Sequence, residues 1–300
     1  MTRPLLKWVG GKRQLLTALR PHYPQAFGRY IEPFFGSGAV FFDLFDSGRV
    51  DGHEVVLIDQ NADLIGCYEM VRDEPDAVSG VLEQLADGHA RGGKTHFYEV
   101  RDRQFNPERE ARRLADGRVA YTPALAAMLI YLNRTGFNGL FRVNARGAFN
   151  VPAGKYVRPR IADRERVQAV STALRAPGVC LRYGSFTEAL TMAEAGDFLY
   201  LDPPYAPLSP TANFTSYTAP RFGPEAQHAL QQMVITLARR GCAIVLSNST
   251  APQIAELYDR NTVAQQAGLR ALRIPARRSI NRDAAGRGPV EEYVITNVNL

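Results

Sequence analysis

The stretch "EPFFGSGAVFF", residues 32–42, joins the end of an apolar strand pattern to a glycine-rich turn and a helical pattern. A strand that runs through such a turn into a helix is typical of an α/β sheet, and Gly36 and Gly38 let the backbone approach a ligand closely. Phe41 stands where a dinucleotide fingerprint needs Gly or Ala for tight helix packing. The stretch therefore predicts an α/β fold and disfavours NAD as the ligand.

Strand patterns alternate with helical patterns through much of the chain. Compact β-branched or aromatic runs predict buried strands at 29–35, 54–59, 178–183, 197–202 and 242–247. Helical patterns lie between them at 38–47, 61–72, 185–195 and 223–240. Pro224 suits the first turn of the last helix, and Gly241 suits its end. The alternation predicts a parallel α/β sheet.

The segment from 73 to 165 interrupts this alternation. It has helical patterns near 74–87 and 95–104, and Thr122 with Pro123 predicts the start of another helix. The following string, "NRTGFNGLFRVNARGAFNVPAGKYVRPR" (133–160), mixes aromatic and basic residues and predicts a β-hairpin that turns at "NARG" (144–147). We predict that 73–165 is an inserted domain and that 1–72 and 166–300 together form the main one.

The composition is that of a globular protein of 300 residues, with 45% hydrophobic and 22% charged residues. A formal net charge of +6 permits a polyanionic partner without requiring one. The three cysteines have no CxxC spacing and the five histidines form no metal-ligand pair, so we expect reduced thiols and no metal site. The N-terminus lacks a signal-peptide core and no stretch reaches the roughly 18 apolar residues of a membrane span, so we expect a cytoplasmic protein.

Asp59 ends the predicted strand that follows the glycine turn, 23 positions after Gly36. A carboxylate at this position can accept hydrogen bonds from ribose hydroxyls, which suits a nucleoside ligand. Strand-glycine-helix turns and strand-ending aspartates are also common without ligands, so the pair alone leaves a structural role open. "GGKR" (10–13) is no P-loop, because Leu6 and Arg13 occupy positions that need Gly and Ser or Thr.

The tetrapeptide Asp202-Pro203-Pro204-Tyr205 follows a predicted strand, at the carboxyl end where open α/β sheets bind ligands. Its prolines fix the backbone past the strand, which exposes the Pro203 carbonyl and directs Asp202 and Tyr205 over the sheet edge. The carboxylate and the carbonyl can accept both N–H bonds of a planar exocyclic amine while the tyrosine ring stacks on its heterocycle. A proline-stiffened turn is the structural alternative, but the combination favours a binding site.

Four motifs occur in one order: "KWVGGK" (7–12), "EPFFGSG" (32–38), "DPPY" (202–205) and "RRSIN" (277–281). With the inserted segment between the second and third, they resemble the Dam-type (D12 class, alpha group) DNA adenine N6-methyltransferases over essentially the whole chain. The strings at 202–217 and 131–156 are especially similar to that family. The resemblance implies an S-adenosylmethionine-dependent methyltransferase (Rossmann-like) α/β sheet with an inserted helical plus β-hairpin target-recognition domain.

The resemblance also implies roles for individual residues. Those that hold the target adenine are Asp202, Pro203, Pro204 and Tyr205. Those that bind S-adenosylmethionine are Trp8, Gly10, Lys12, Glu32, Pro33, Phe34, Gly36, Gly38, Asp59, Ser185, Phe186 and Asp202. Those that contact DNA are Arg134, Phe137, Asn138, Leu140, Arg142, Asn144, Arg146, Pro152, Lys155, Arg277 and Arg278.

Three of these residues depart from the family pattern. Ser185 stands where relatives have an acid next to the cofactor adenine, Phe137 where tyrosine is frequent and Lys155 where arginine is frequent. The residue types of the inserted segment nevertheless suit DNA by themselves. Cations can bind phosphates, an arginine fork can read guanine O6 and N7, and Phe137 or Asn138 can fill the gap left by an extruded base. A solvated basic hairpin is the structural alternative.

We therefore predict that the protein binds double-stranded DNA, flips out an adenine and transfers a methyl group to its N6, at GATC by resemblance of the hairpin. Two alternatives stay open here: a methyltransferase that acts on cytosine N4, RNA or a protein amide, and a DNA-binding regulator without catalysis. We expect a monomer that works without a membrane. A cognate restriction endonuclease, where one exists, acts separately.

Overall fold

The computed structural model describes residues 2–8, 10–207, 222–277 and 289–298. The chain divides into two compact units. The first unit comprises Met1–Gly11, Gly36–Arg49 and Asp59–Tyr183. The second unit comprises Lys12–Phe35, Val50–Ile58 and Gly184–Leu300. The predicted boundaries of the inserted domain, 73 and 165, stay a prediction.

The strands of the described ranges are β1 Tyr30–Glu32, β2 Val55–Asp59, β3 Val179–Tyr183, β4 Phe198–Leu201, β5 Ala243–Ser249, β6 Arg270–Arg277 and β7 Pro289–Thr296. Their order in the sheet is β3-β2-β1-β4-β5-β7-β6. β1 pairs in parallel with β2 and β4, with Tyr30 opposite Val55 and Phe198, and β4 pairs in parallel with β5. β7 is antiparallel to both β5 and β6.

The five strands predicted from the sequence are confirmed, but two expectations about the sheet are wrong. β3 is not a buried strand, since Leu181 is its one buried residue and the strand lies at the edge of the sheet. The sheet is not wholly parallel, because β6 and β7 form an antiparallel hairpin on its other side. β6 has no continuous buried run, which hid this strand, whereas β7 has a buried run at 293–296 that the sequence analysis missed.

The helices are α1 Leu16–Leu19, α2 Ala39–Asp46, α3 Ala62–Asp73, α4 Pro75–Glu99, α5 Asn106–Ala111, α6 Pro123–Thr135, α7 Arg164–Leu174, α8 Glu188–Met192, α9 Pro224–Arg240, α10 Pro252–Ile254 and α11 Thr262–Gln266. Short 3-10 turns occupy Lys12–Gln14, Arg20–His22 and Phe137–Gly139, and π-helical turns occupy Val100–Phe105 and Ala255–Asp259. None of the helices in the described ranges is long and apolar enough to cross a membrane.

The core of the second unit packs α8, α9 and α10 against the apolar faces of β1, β2, β4 and β5. Ile31, Leu199 and Ile244 contribute from neighbouring strands, and Leu230 and Val234 contribute from one face of α9. Pro224 in the first turn of α9 and left-handed Gly241 at its end confirm the predicted limits of this helix. The strands of this unit are therefore supported by a packed apolar core.

The first unit is mainly helical. α6 begins as predicted, because the Thr122 hydroxyl accepts a hydrogen bond from the Leu125 amide at 3.2 Å and Pro123 occupies the first turn. Its middle is apolar on all sides and buried, where it packs against α3 and α4. The two helices predicted at 74–87 and 95–104 are present as two segments of α4 that a kink at Gly93 separates, and the second segment continues into the π-helical turn at 100–105. Gly93 has a φ of 51°, which a side chain would disfavour.

The predicted turn of the hairpin at 144–147 is confirmed. The Asn144 amide donates to the Ala148 carbonyl at 2.9 Å, the Gly147 amide donates to the Asn144 carbonyl at 2.9 Å, and Val143 bridges Phe149 in antiparallel fashion. The Asn144 side chain accepts from the Arg146 amide at 2.9 Å and thereby stabilises the turn. The hairpin is short, since single bridges and no extended strands hold its arms together.

Arg134, predicted to contact DNA, lies instead in the interior of the first unit with 5% of its surface exposed. Its Nη1 donates to the carbonyls of Arg160 and Ile161 at 2.9 and 2.8 Å, and its Nη2 donates to the Leu5 carbonyl at 3.4 Å. Burial lowers the pKa of this guanidinium to about 10. The residue type suited phosphate, but its place on the all-round apolar helix α6 gives it a structural role.

We predict that Arg134→Met lowers the free energy of unfolding by about 2 to 3 kcal/mol, because three carbonyls lose a charged donor. Chemical denaturation measures this, with Arg146→Met as the control. Arg146 is exposed on the hairpin, so its substitution should change stability by less than about 0.5 kcal/mol. If Arg134→Met is as stable as the wild type but binds DNA more weakly, then Arg134 contacts DNA, as the sequence predicts.

Candidate functional site

The glycine turn and Asp59 meet within the first unit. Gly36 and Gly38 have φ values of 49° and 71°, in the left-handed region that favours glycine. The Gly36 amide donates to Asp59 Oδ2 at 2.9 Å, and the Asn61 amide donates to Asp59 Oδ1 at 2.8 Å. Each carboxylate oxygen keeps a lone pair for a further donor such as a hydroxyl group. The turn and the carboxylate, which the sequence linked only by spacing, are thus joined by a hydrogen bond.

Burial raises the pKa of Asp59 to about 6, although the amides of Gly36 and Asn61 act in the opposite direction. A buried carboxylate with few protein donors favours ligand groups that donate hydrogen bonds to it. Vicinal ribose hydroxyls are such groups.

The N-terminal segment of the first unit is fixed by its backbone. The Lys7 amide donates to Asn133 Oδ1 at 2.8 Å, and Asn133 Nδ2 donates to the Lys7 carbonyl at 2.8 Å. Trp8 then stacks on Phe141 of the hairpin, with ring centroids 5.9 Å apart and planes 26° apart. Gly10 follows with a φ of 82° and stays exposed. The sequence did not predict this contact between the "KWVGGK" segment and the hairpin.

Lys12 and the DPPY residues form a cluster in the second unit. The Lys12 side chain is almost completely buried, and its Nζ lies 2.6 Å from Asp202 Oδ1. The same ammonium lies 4.5 Å from the centroid of the Tyr205 ring, a cation–π distance. The Tyr205 hydroxyl donates to Glu292 Oε2 at 2.6 Å. The cluster therefore joins the end of β4 to the 3-10 turn that starts at Lys12 and to β7.

The pKa values in this cluster define its charges. Burial raises the pKa of Asp202 to about 6, while Lys12 acts to lower it. Burial, with the nearby carboxylates of Asp202 and Glu292, raises the pKa of Tyr205 well above its usual value. At neutral pH the aspartate is ionised and accepts hydrogen bonds, whereas the phenol is neutral and donates one to Glu292. Glu292 was not predicted, because it lies on a strand that the sequence pattern did not reveal.

The two prolines after Asp202 are held in place by neighbouring side chains. Gln227 Nε2 donates to the Pro204 carbonyl at 2.9 Å, and Asn248 Nδ2 donates to Gln227 Oε1 at 3.1 Å. Within the described ranges, no donor is bonded to the Pro203 carbonyl. The Pro203 carbonyl and one oxygen of Asp202 thus offer two acceptors at the carboxyl end of β4.

Three phenylalanine rings of the second unit pack against one another. Phe34 and Phe186 have ring centroids 5.1 Å apart and planes 21° apart, and Phe222 packs edge-on against both rings. Ser185 precedes this stack, and its amide donates to Glu188 Oε1 at 3.1 Å. A carboxylate therefore lies at this turn although the sequence has serine where relatives have an acid. Phe222 and Glu188 escaped the sequence analysis because neither belongs to a recognised motif.

Glu32 and Pro33, predicted to bind the cofactor, are buried at the end of β1. The Glu32 carboxylate accepts a hydrogen bond from the Tyr30 hydroxyl at 2.8 Å. At least one oxygen of this carboxylate therefore accepts a hydrogen bond from a side chain inside the unit. Glu32 stays a predicted cofactor contact.

The guanidinium of Arg142 is oriented by Asn150, the residue across the hairpin. Arg142 Nε donates to Asn150 Oδ1 at 2.7 Å, and Nη2 donates to the Asn150 carbonyl at 3.2 Å. Of its five N–H groups, these bonds leave both on Nη1 and one on Nη2 for another partner. The half-buried side chain is thus a partly fixed fork, and Asn150 is a further residue that the sequence analysis missed.

The other predicted DNA contacts of the first unit lie largely at its surface. Phe137 is 48% exposed, and Asn138 beside it has a φ of 54°, which is uncommon for a residue other than glycine. Leu140 is half-buried, and Asn144, Arg146, Pro152 and Lys155 are exposed. Pro152 also fixes the Phe137 turn, since its carbonyl accepts from the Phe137 amide at 2.8 Å.

The remaining predicted contacts concern the late loop and metals. Arg277 ends β6, and Arg278 lies outside the described residues. In the described part of the chain, no three His, Cys, Asp or Glu side chains are grouped to hold a metal ion, and the three cysteines are free.

Comparison with known proteins identifies this arrangement. A model of the family described as "D12 class N6 adenine-specific DNA methyltransferase" matches residues 8–272. The "Type II methyltransferase M1.LlaDCHI" of Lactococcus lactis subsp. cremoris is 35% identical over 98% of this chain and 95% of its own. The "DNA adenine methylase" proteins of Vibrio cholerae and Escherichia coli K12 are 35% and 33% identical, each over 97% of this chain and 95% or 94% of their own. The chain therefore belongs to the D12 class of N6 adenine-specific DNA methyltransferases.

Proposed function

We propose that the protein transfers the methyl group of S-adenosylmethionine to N6 of adenine in the duplex sequence GATC, after the adenine has been flipped out. The observation that carries the chemical part is the cluster of Lys12, Asp202, Tyr205 and Glu292 at the carboxyl end of β4. It combines an ionised acceptor, a carbonyl that no donor of the described ranges bonds, and an oriented aromatic ring, which are groups that suit a planar amine.

The adenine amino group is a poor nucleophile because its lone pair is delocalised into the ring. Asp202 and the Pro203 carbonyl accept its two N–H bonds, which localises the lone pair on nitrogen. These acceptors stabilise the positive charge that develops on N6 as the N–C bond forms and the methyl carbon leaves the sulfonium sulfur, which becomes a neutral thioether, and N6 then loses a proton to water. Stacking on Tyr205 aligns the base, so most of the rate enhancement comes from positioning.

Lys12 keeps Asp202 in the state that this step needs. Its ammonium contacts Oδ1, which opposes the effect of burial on the pKa of the carboxyl. Oδ2 stays available to accept from N6. Glu292 holds the Tyr205 hydroxyl and thereby fixes the rotation of the ring that receives the base.

The residues present fit S-adenosylmethionine. The Asp59 carboxylate, held by two amides, suits the ribose hydroxyls, and the stacked rings of Phe34 and Phe186 suit an adenine ring. Trp8, Gly10, Lys12, Glu32, Pro33 and Ser185 are the further contacts that we propose. When bound, this cofactor supplies an electrophilic methyl group on a sulfonium.

The target sequence is proposed from the hairpin. Arg142 presents three N–H donors from a fork that Asn150 orients, which supports a bidentate contact with guanine O6 and N7. Leu140 lies two positions away and is suited to pack against base pairs. The exposed Phe137 is suited to fill the space of the extruded adenine. We propose that residues 73–165 form the target-recognition domain and that a monomer acts on duplex DNA.

We predict that the single-turnover rate of methyl transfer falls as the pH falls through about 6, because Asp202 protonates below its pKa and loses acceptor capacity. The cofactor must be saturating, since Asp59 also has a pKa of about 6. Asp202→Ala should abolish methyl transfer and still shift duplex DNA in a gel. Appreciable turnover by this variant would refute the role given to Asp202.

We predict that Asp59→Ala weakens S-adenosylmethionine binding by about 1.5 to 3 kcal/mol, the worth of one or two charge-assisted hydrogen bonds. Isothermal titration calorimetry of the cofactor measures this loss. Asp51→Ala, which changes an exposed carboxylate in the turn before β2, is the matched control and should bind normally. Equal affinities of wild type and Asp59→Ala would remove Asp59 from the cofactor site.

We predict that Arg142→Ala loses roughly 1 to 3 kcal/mol of discrimination at one guanine and little at other positions. Arg142→Lys should not restore it, because a single ammonium cannot form the planar bidentate contact. Methylation rates on GATC and on all its single-base variants measure the effect. Arg146→Ala, at the exposed turn of the same hairpin, should weaken all sequences alike. A uniform loss with Arg142→Ala would mean that Arg142 contacts phosphate, and wild-type activity at a different adenine site would refute GATC.

A further inference from the structure

Two side chains of α5 hold the hairpin by its backbone. Asn106 Nδ2 donates to the Phe149 carbonyl at 3.0 Å, and the Phe149 amide donates back to Asn106 Oδ1 at 2.8 Å. One turn later on the helix, Arg109 Nη1 donates to the Gly147 carbonyl at 2.6 Å. Residues three positions apart lie on one face of a helix, so this face contacts one arm of the hairpin at two places. We call Asn106 and Arg109 the α5 clamp.

Arg109 is itself anchored by a buried ion pair. Its Nε and Nη2 donate to the two oxygens of Asp63 at 2.5 and 2.7 Å, and the Tyr121 hydroxyl donates to Asp63 Oδ1 at 3.0 Å. Arg109 and Asp63 are 6% and 3% exposed. The planar guanidinium thus donates to the Asp63 carboxylate from one edge and to the Gly147 carbonyl from another. A lysine ammonium lacks this fork.

The clamp acts on the arm that faces Arg142. Phe149 bridges Val143, and the next residue, Asn150, bonds both the backbone and the guanidinium of Arg142. A shift of this arm therefore moves Asn150 and, with it, the fork of Arg142. No described bond of the clamp involves a hairpin side chain, so the clamp sets the position of the hairpin and not its residue types.

We propose that Asn106 and Arg109 are positioning residues for target recognition, which fix the hairpin so that Arg142 meets its base pair. The proposal rests on the proposed function of Arg142. Asp63 lies in the first turn of α3, which begins after Asn61, whose amide bonds Asp59. Asp63, which anchors Arg109 of the clamp, therefore lies close in sequence to Asp59, the carboxylate proposed to bind the cofactor.

The test uses Asn106→Ala, Arg109→Lys and Arg142→Ala in the full-length protein. The wild type's own site is first read by sequencing modified bases in DNA from expressing cells. Methylation rates are then measured on that site and on its single-base variants. Asn106→Ala should lower discrimination at the base pair read by Arg142 about tenfold, because two hydrogen bonds that hold the arm are lost. Arg109→Lys, which retains the charge beside Asp63, should lower it in the same direction.

The double variant Asn106→Ala/Arg142→Ala tests whether the clamp affects discrimination through Arg142. If the clamp acts through Arg142, the double variant discriminates no worse than Arg142→Ala alone. Arg103→Lys, which changes an exposed arginine in the π-helical turn before α5, is the control and should discriminate like the wild type. Thermal unfolding and cofactor titration check that each variant is folded.

Each outcome decides the proposal. A purely structural role would lower the rate on all sequences by one factor and leave discrimination unchanged, which would overturn the clamp. If Arg142→Ala relaxes discrimination and folded Asn106→Ala does not, the clamp alone is wrong. If Arg142→Ala itself leaves discrimination intact, base reading by the hairpin is wrong and the clamp is overturned with it. Should Arg109→Lys fail to fold, Asn106→Ala, which changes no charge, still decides the question.

Discussion

A charged side chain that leaves water must find a partner, and this constraint fixes the functional segments of both compact units. In the second unit the buried ammonium of Lys12 pairs with Asp202 and lies against the Tyr205 ring. In the first unit the buried Arg109 pairs with Asp63 and also donates a hydrogen bond to the Gly147 carbonyl of the hairpin. Removing either member would leave a buried charge alone, which costs more than the pair contributes. These buried ion pairs therefore help to fix the DPPY turn and the hairpin in place.

Much of the main architecture follows from the sequence because it depends on local patterns. Apolar runs marked five strands, Thr122 and Gly241 marked helix limits, and "NARG" marked the hairpin turn. The motifs "EPFFGSG" and "DPPY" were predicted to be sites because glycines and prolines permit backbone geometries that other residues disfavour. Asp59 was linked to the glycine turn by spacing alone, and the hydrogen bond from Gly36 gives that spacing its physical reason.

The parts that sequence reasoning missed depend on long-range pairing. β6 has no continuous buried run and the short buried run of β7 at 293–296 was overlooked, so Glu292 stayed hidden with these strands. Arg134 shows the opposite error, since an arginine in a basic segment suggested DNA although its helix is buried on all sides. Asn106, Asp63 and Arg109 are ordinary polar residues in sequence. Their roles arise from partners about 40 positions away, which no local pattern can reveal.

The hairpin is gripped through main-chain atoms of Gly147 and Phe149. Every residue type except proline offers the same amide and carbonyl groups, so this attachment depends little on hairpin side chains, although the φ of 79° at Gly147 favours glycine there. Side chains proposed to read bases can therefore be replaced during evolution without loss of the hydrogen bonds that hold the hairpin. A lineage could acquire a new recognition sequence by substitutions at side chains such as Leu140 and Arg142 while the proposed catalytic cluster and the folding stability stay nearly constant. Separation of the attachment from the reading surface makes the specificity of such an enzyme exchangeable.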